Sequence, residues 1–336
     1  MQQDVLLAHK CPSCNSNNIQ LYRRYKTKTY AKRCILKCID CGEHFSETKN
    51  TFLENLRTPI NFIKQVIDAR SEGMGFNAAA RVFGISINTL KAWEVKFSKL
   101  KIPLFIYSLA EQFLSQHIEG DELYTKVGEN KSAHESTGWT VVLMERASRF
   151  IWEMKCGEKD EALFLFTIEK LVEIMKQTGN LTLFTDGERR YSNFLFNLCC
   201  EAVKTGQRGR PRKTLPKDVK VRLKNKGSSN AKQNRQKYES PKPEHPDTKQ
   251  NIENKEIHAN HVEAFNAALR RKNSAYRRKT NTYAKDTPAL QRTLDAHWVI
   301  HNFVKKHFTT KVVPAVAIGI ITQGLSWLEL FSLQLV

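Results

Sequence analysis

Two sets of side chains in this 336-residue chain have types and spacings that can do chemistry. The first is sulfur. Cys11-Pro-Ser-Cys14 and Cys38-Ile-Asp-Cys41 are CxxC pairs separated by 23 residues. Each such turn offers two thiolates to one ion, and tetrahedral zinc needs four soft ligands, so the pairs predict a zinc site. Cys34, His9 and His44 lie near enough to replace a ligand, although the pattern Lys37-Cys38-x-x-Cys41-x-x-x-Phe45 favours Cys38. The second set is oxygen. Residues 119–203 hold 15 acidic and 10 basic side chains inside a basic protein, as expected where carboxylates gather to hold cations. Metal-assisted phosphoryl transfer needs acids that converge in space although distant in sequence. Asp121, Asp186 and Glu263 are the acids whose positions suit that requirement.

The elements that must bring them together can be read from periodicity. Leu123–Gly128, Trp139–Glu145 and Arg149–Cys156 read as strands, with Asp121 opening the first; a helix follows at about 160–178. Leu181–Asp186 is a buried strand that breaks at Gly187, and a helix runs from about Arg189 to Val203. Three antiparallel strands, a helix, a strand and a helix give the order of a ribonuclease-H-like α/β fold, in which the first and fourth strands are neighbours. Glu263 lies on a later helix whose buried stripe is Val262, Phe265 and Leu269. That stripe turns Glu263, with Asn260, Asn266 and Arg270, along one flank toward the sheet edge. Glu122 competes with Asp121, but alternation along a strand sends the two to opposite faces.

Upstream, residues 59–71 form an amphipathic helix and residues 77–83 a second. Gly84 makes a tight turn, Ser86 is a suitable N-cap, and a third helix runs from about Ile87 to Phe97. This predicts a helix-turn-helix in which Leu90 and Trp93 close the core while Asn88, Thr89, Lys91 and Ala92 face a major groove. The expected organisation is multidomain α+β. It comprises a zinc ribbon at 1–52, a helix-turn-helix at 53–103, and a ribonuclease-H-like domain at 118–336 with a polar, basic insertion at about 204–255.

The chain carries 54 Lys and Arg against 34 Asp and Glu, a net charge of +20. That balance argues against a small-molecule enzyme and makes nucleic acid the expected partner. The insertion holds 16 basic and 5 acidic residues. Its Arg208-Gly-Arg210-Pro-Arg-Lys run is similar to the AT-hook core that lays arginines in a narrow minor groove, and a solvated basic linker accounts for it equally well. From Leu269 to Lys285 there are seven basic residues and no acid. Arg270, Arg271, Lys272, Arg277, Arg278 and Lys279 are therefore expected to meet phosphates beside the acids. The apolar C-terminal stretch is interrupted by Pro314, Gln323, Glu329 and Gln334, so no membrane span is expected there. The first residues have neither the basic start nor the apolar run of a secretory signal. A reducing, cytoplasmic setting is expected, with the C-terminal segment packing on the core or on a partner subunit.

Taken together, the cysteine pairs, Arg81-Val-Phe-Gly-Ile-Ser86, Gly120-Asp-Glu-Leu123, Thr185-Asp-Gly187, His261-Val-Glu-Ala-Phe-Asn266 and Arg277-Arg-Lys-Thr-Asn-Thr-Tyr-Ala-Lys285 resemble the DDE transposases of the insertion-sequence-one family. The resemblance spans nearly the whole chain, with the motifs in order. It implies a polynucleotidyl transferase that uses Mg²⁺ or Mn²⁺ to cut the ends of a mobile element and join them to target DNA. It works as a homo-oligomer on double-stranded DNA at the nucleoid, with Asp121, Asp186 and Glu263 as its three acids. The 76 residues between Asp186 and Glu263 exceed the family's usual gap, and the basic insertion occupies the difference. Two other expectations remain open: a zinc-ribbon and helix-turn-helix transcription regulator without catalysis, and a nuclease of the same fold that cuts without joining.

Overall fold

The computed structural model describes residues 10–26, 32–111, 116–129, 131–186, 188–203, 209–223, 258–277 and 281–335. They form two compact units. One contains the described residues up to 108 together with 295–335, and the other spans 109–294.

The first unit begins with an antiparallel sheet of β1 (Ile19–Lys26), β2 (Lys32–Cys38) and β3 (His44–Ser46). Phe45, Ile19 and Leu36 pack against Cys11 and Cys38, so a small apolar patch closes over the thiols. Helix α1 (Ile60–Ser71) starts directly after Pro59 and buries Ile63, Val66 and Ile67 at helical spacing. Helix α2 (Phe76–Val82) buries Ala79 and Ala80, whose small side chains permit close helix crossing. Gly84, at φ +63°, reverses the chain in a conformation that glycine adopts without strain. Ser86 then caps α3 (Ile87–Ser98) by accepting the Thr89 N–H, and Leu90, Trp93 and Phe97 face the core. The sequence reading stopped at 103; a further helix, α4, covers Lys101–Glu111.

The C-terminal segment belongs to this unit. Phe331 stacks on Phe52 at 4.4 Å and meets Phe97 edge-on, while Lys305 Nζ pairs with Asp68 at 2.7 Å and Glu72 at 2.6 Å. The apolar tail thus completes the core of the N-terminal helices. The sheet-bearing unit ends near residue 294, short of the 336 expected from sequence.

The second unit is a mixed α/β structure around a five-stranded sheet. Its strands are β4 (Gln116–Tyr124), β5 (Trp139–Glu145), β6 (Ile151–Gly157), β7 (Leu181–Thr185) and β10 (Val219–Leu223), in the order β10-β7-β4-β5-β6. β4, β5 and β6 are antiparallel, whereas β7 runs parallel to both β4 and β10. Helix α5 (Glu161–Thr178), capped by Asp160 and ended by Gly179, connects β6 to β7, and α6 (Arg189–Cys199) follows. A small hairpin of β8 (Glu201–Val203) and β9 (Arg212–Thr214) precedes β10. Helices α7 (Asn260–Lys272) and α8 (Thr287–Val299) follow, the latter crossing into the first unit, which also holds α9 (Pro314–Ala317) and α10 (Trp327–Ser332).

Two expectations change here. β4 begins at Gln116, so Asp121 lies in the second half of the strand and does not open it. The basic insertion also contributes to the core: Val219 and Val221 are buried and make β10 a parallel edge strand. Their alternation with Lys220 and Arg222 is a half-buried strand pattern that the surrounding charge conceals. Among the described residues no helix is long and apolar enough to cross a membrane.

Candidate functional site

Parallel pairing of β4 with β7 runs from Gln116 opposite Leu181 to Glu119 opposite Phe184. Two residues further along each strand stand Asp121 and Asp186. The two strands are neighbours, as the sequence reading expected, and they set Asp121, inside β4, beside Asp186, just past the end of β7. Glu122 joins them: ligand oxygens of Asp121, Glu122 and Asp186 all lie within 4.8 Å of one another.

Strand alternation does separate the two acids of β4. Glu119 and Asp121 look toward α7, while Gly120 and Glu122 look toward α6, where a Cβ on Gly120 would meet Tyr191 at 3.3 Å. β7 stops at Thr185, so past Glu119 no strand flanks β4 on that side; its two faces share one open edge there, and the longer Glu122 side chain reaches it. The inference that alternation removes Glu122 from the site is therefore corrected.

Glu263 lies half-buried in the first turn of α7 and is not part of that three-acid group. The residue of α7 that meets the acids is Asn266, 2% exposed, whose Nδ2 donates to Asp121 Oδ2 at 2.8 Å. The inner stripe of the helix is Val262, Phe265, Asn266 and Leu269. Asn266 belongs to the buried face and not to the flank on which the sequence reading placed it.

The electrostatics are those of acids that crowd one another. Burial, followed by repulsion from Asp186 and Glu122, pushes the Asp121 carboxyl up to about 7. Burial also raises Glu122, against the opposing pull of Lys159. Four buried polar atoms around the cluster have no hydrogen-bond partner: Glu122 Oε2, Thr185 Oγ1, Tyr191 OH and Asn266 Oδ1. Unsatisfied buried acceptors are costly, and a hard cation bound by oxygen would satisfy several at once. Of the basic side chains, Lys159 Nζ sits 2.9 Å from Glu122 Oε1 and 4.1 Å above the Trp139 ring.

A second group, Glu119 with His258 and His261, has metal-ligand types but a different task. Glu119 is fully buried; Oε2 accepts the backbone N–H groups of His261 and Val262 at 2.9 Å each, and Oε1 accepts from Arg146 Nε at 2.8 Å. Arg146 lies 3.7 Å from the Phe184 ring centroid and also donates to the His258 carbonyl. Glu119 is thus a remote cap for α7, which lacks a side-chain cap of its own, and it fixes the helix that carries Asn266.

In the first unit Cys11, Cys14, Cys38 and Cys41 gather within 4.8 Å, with Sγ–Sγ distances of 3.5 Å (Cys11 to Cys41) and 3.6 Å (Cys14 to Cys38). A tetrahedron of ~2.3 Å zinc–sulfur bonds has edges of about 3.8 Å, so the four thiols fit one zinc ion. Cys34 lies outside the cluster with its thiol raised first by burial and then by Glu47, His44 packs on the Tyr22 ring, and His9 lies outside the described residues.

On α3, Asn88, Lys91 and Ala92 are exposed. Thr89 is not free for a groove, because its hydroxyl bonds the Ser86 hydroxyl at 2.8 Å within the helix cap. Arg270 and Lys272 are half-buried in the last turn of α7, with Arg271, Arg277 and Arg210 exposed; Arg208, Arg278 and Lys279 lie outside the described residues. Sequence reasoning missed Asn266, Lys159 and the Glu119–Arg146 pair. An asparagine at position 266, between Val262 and Leu269 on the inner face, was the available signal. Comparison with family models and with curated proteins found no match for the chain.

Proposed function

We propose that the chain is a DDE-type DNA transposase, a polynucleotidyl transferase that binds the ends of its element and then cuts and joins them. The observation that carries this reading is the pair of carboxylates that adjacent parallel strands bring together, crowded by a third acid and by buried polar atoms that lack partners. The strand order, with three antiparallel strands flanked by parallel β7, supports a ribonuclease-H-like sheet. The cysteine cluster and the exposed face of α3 in the first unit, and the basic end of α7 in the second, supply the further parts that a DNA-binding enzyme needs.

Asp121, Asp186 and Glu122 are the described residues whose oxygens would hold Mg²⁺ or Mn²⁺, with Glu263 completing the set by resemblance. Bound there, the metal would lend Lewis acidity to an in-line displacement at a DNA phosphate. The protein's own part is positional. Asn266 donates to one oxygen of Asp121, and Glu119 with Arg146 anchors the start of the helix that presents Asn266 and Glu263. Arg270, Arg271, Lys272 and Arg277 continue from that helix as a clamp for phosphates, while Asn88 and Lys91 read base edges.

The test is cleavage and joining of oligonucleotides that carry the DNA flanking the chain's own gene. Asp121→Asn and Asp186→Asn should abolish cleavage and spare end binding. Glu263→Gln and Glu122→Gln decide the third acid: an active Glu263→Gln beside a dead Glu122→Gln would move that role to Glu122. Cleavage without joining would make the protein a nuclease, and end binding without either would make it a regulator.

A further inference from the structure

Among the described residues Lys159 makes an ion pair with an acid of the cluster, and its surroundings are unusual for an ordinary surface pair. Its ammonium lies 2.9 Å from Glu122 Oε1, 3.8 Å from Glu188 Oε2 and 4.1 Å above the Trp139 ring. Its backbone is pinned. The Lys159 carbonyl accepts from Arg190 Nη1 at 2.8 Å, and the next residue, Asp160, caps α5 through the Leu163 N–H at 2.9 Å. The side chain itself is 29% exposed and touches solvent. A fixed root with four rotatable bonds and an exposed tip allows the ammonium to change partners without moving the fold.

The other nearby cation cannot do this. Arg190 makes two hydrogen bonds to Glu188, at 2.9 and 2.7 Å, and its guanidinium stacks on Phe164 at 4.1 Å. Arg190 is thus committed to Glu188, whereas the Lys159 ammonium is the basic group paired with Glu122 among the described residues. It satisfies only one oxygen of Glu122, and the other, Oε2, is buried without a partner.

Resting on the proposed phosphoryl-transfer reading, we propose that Glu122 and Lys159 form an exchangeable counter-ion pair: Lys159 occupies the rim of the acid cluster until a divalent cation takes Glu122, and then moves to a phosphate oxygen of the bound DNA strand. Lys159 opposes the entry of the cation, because both compete for the same carboxylate oxygen. The released ammonium finds the one new anion that the reaction brings, a phosphate. Premature cation loading on the protein alone is thereby coupled to the arrival of DNA.

The coupling predicts a gain that a merely structural ion pair would not show. Mn²⁺ binding to the full, zinc-loaded chain is measured by calorimetry, with Asp121→Asn defining the binding that belongs to this site. Lys159→Met should bind Mn²⁺ about tenfold more tightly than wild type, since one opposing unit charge is removed a few ångströms from a dication. Lys159→Arg, which keeps the charge and tests the packing, should stay within about twofold. Glu122→Gln should bind more weakly, and in the Glu122→Gln background Lys159→Met should give no gain. With Ca²⁺ present, the salt dependence of DNA binding should lose about one unit of slope in Lys159→Met, and without a divalent cation it should not change. Unchanged or weaker Mn²⁺ binding in a folded Lys159→Met protein, an equal gain in Lys159→Arg, or a slope that falls alike with and without Ca²⁺ would overturn the exchange. If wild type shows no Asp121-dependent Mn²⁺ binding at all, the metal reading fails, and the exchange with it.

Discussion

Asp121 should weaken the fold that it serves. Its carboxyl is raised to about 7 by burial and by two neighbouring acids, whereas in an unfolded chain it titrates near 3.9. Between those values the folded protein binds a proton that the unfolded chain has released, so stability falls as pH rises through this window, and the penalty is complete above about pH 8. At about 1.4 kcal/mol for each pH unit, the whole interval corresponds to roughly 4 kcal/mol. The side chain is half-buried at a rim that water reaches, which reduces this to about 1–3 kcal/mol. Asparagine has the same shape, and its carbonyl oxygen can still accept from Asn266 Nδ2, so Asp121→Asn removes the charge and little else. The variant is expected to be more stable than wild type by that amount at pH 8 without divalent cations, and to converge with it at pH 4. Urea unfolding followed by the fluorescence of the sheet tryptophans Trp139 and Trp152 measures the difference. Added Mg²⁺ should stabilise wild type and leave the variant unmoved, because only a ligand of the folded state adds stability. A variant no more stable than wild type at pH 8, or one whose advantage persists undiminished at pH 4, would refute the account of a carboxylate held under electrostatic stress.

Cys11→Ser and Cys38→Ser should each release zinc and unfold the ribbon, while Cys34→Ser should retain one zinc per chain; metal content after gel filtration distinguishes them. Glu119→Ala should cost about 3–5 kcal/mol in thermal or urea unfolding, because it strands a buried guanidinium and two backbone N–H groups at the start of α7. Asn88→Ala should relax sequence preference by ~1–3 kcal/mol at one base pair in competition binding. Ser86→Ala should lower helix stability by about 1 kcal/mol by removing the N-cap of α3, whereas Thr89→Ala, which keeps the capped backbone N–H, should leave base preference intact because the Thr89 hydroxyl bonds Ser86; thermal unfolding and competition binding check the two. Arg277→Ala should weaken binding to all sequences alike and lower the salt slope by about one unit, and a changed sequence preference at constant slope would contradict its place in the phosphate clamp.

What was legible in the sequence is what local rules govern. Cysteine spacing specified the four thiols that meet, because each CxxC turn prearranges its own pair. Helix caps and periodicity placed α1, α2 and α3 within a residue or two, and the buried run Leu181–Thr185 identified β7, at whose end Asp186 stands. What stayed hidden involves partners remote in sequence. Glu119 was left outside the first strand, since nothing local discloses that Arg146 and the N–H groups of His261 and Val262 will surround it. The strand was accordingly read as starting too late. β10 was concealed in the same way, its two valines set in a stretch whose composition reads as a solvated arm. The tail after 294 was apolar enough to demand burial, but sequence alone does not say against which surface.

The acid site follows the same division. Period-two alternation correctly assigned Asp121 and Glu122 to opposite faces, yet it is a rule about the interior of a sheet. At the rim the two faces converge, and a glutamate reaches further around the edge than an aspartate. The acid cluster is therefore set by where β7 stops beside β4, which is where alternation no longer separates the side chains of the longer strand. That is also why one sequence can place a third carboxylate beside Asp121 and Asp186 from the same strand, with an asparagine on α7 supporting the first of them. Whether Glu263 or Glu122 completes the set then depends on charge as much as on distance. Lys159 masks Glu122 until a stronger cation displaces it, so the two single substitutions Glu263→Gln and Glu122→Gln carry more information about this site than its resting geometry does.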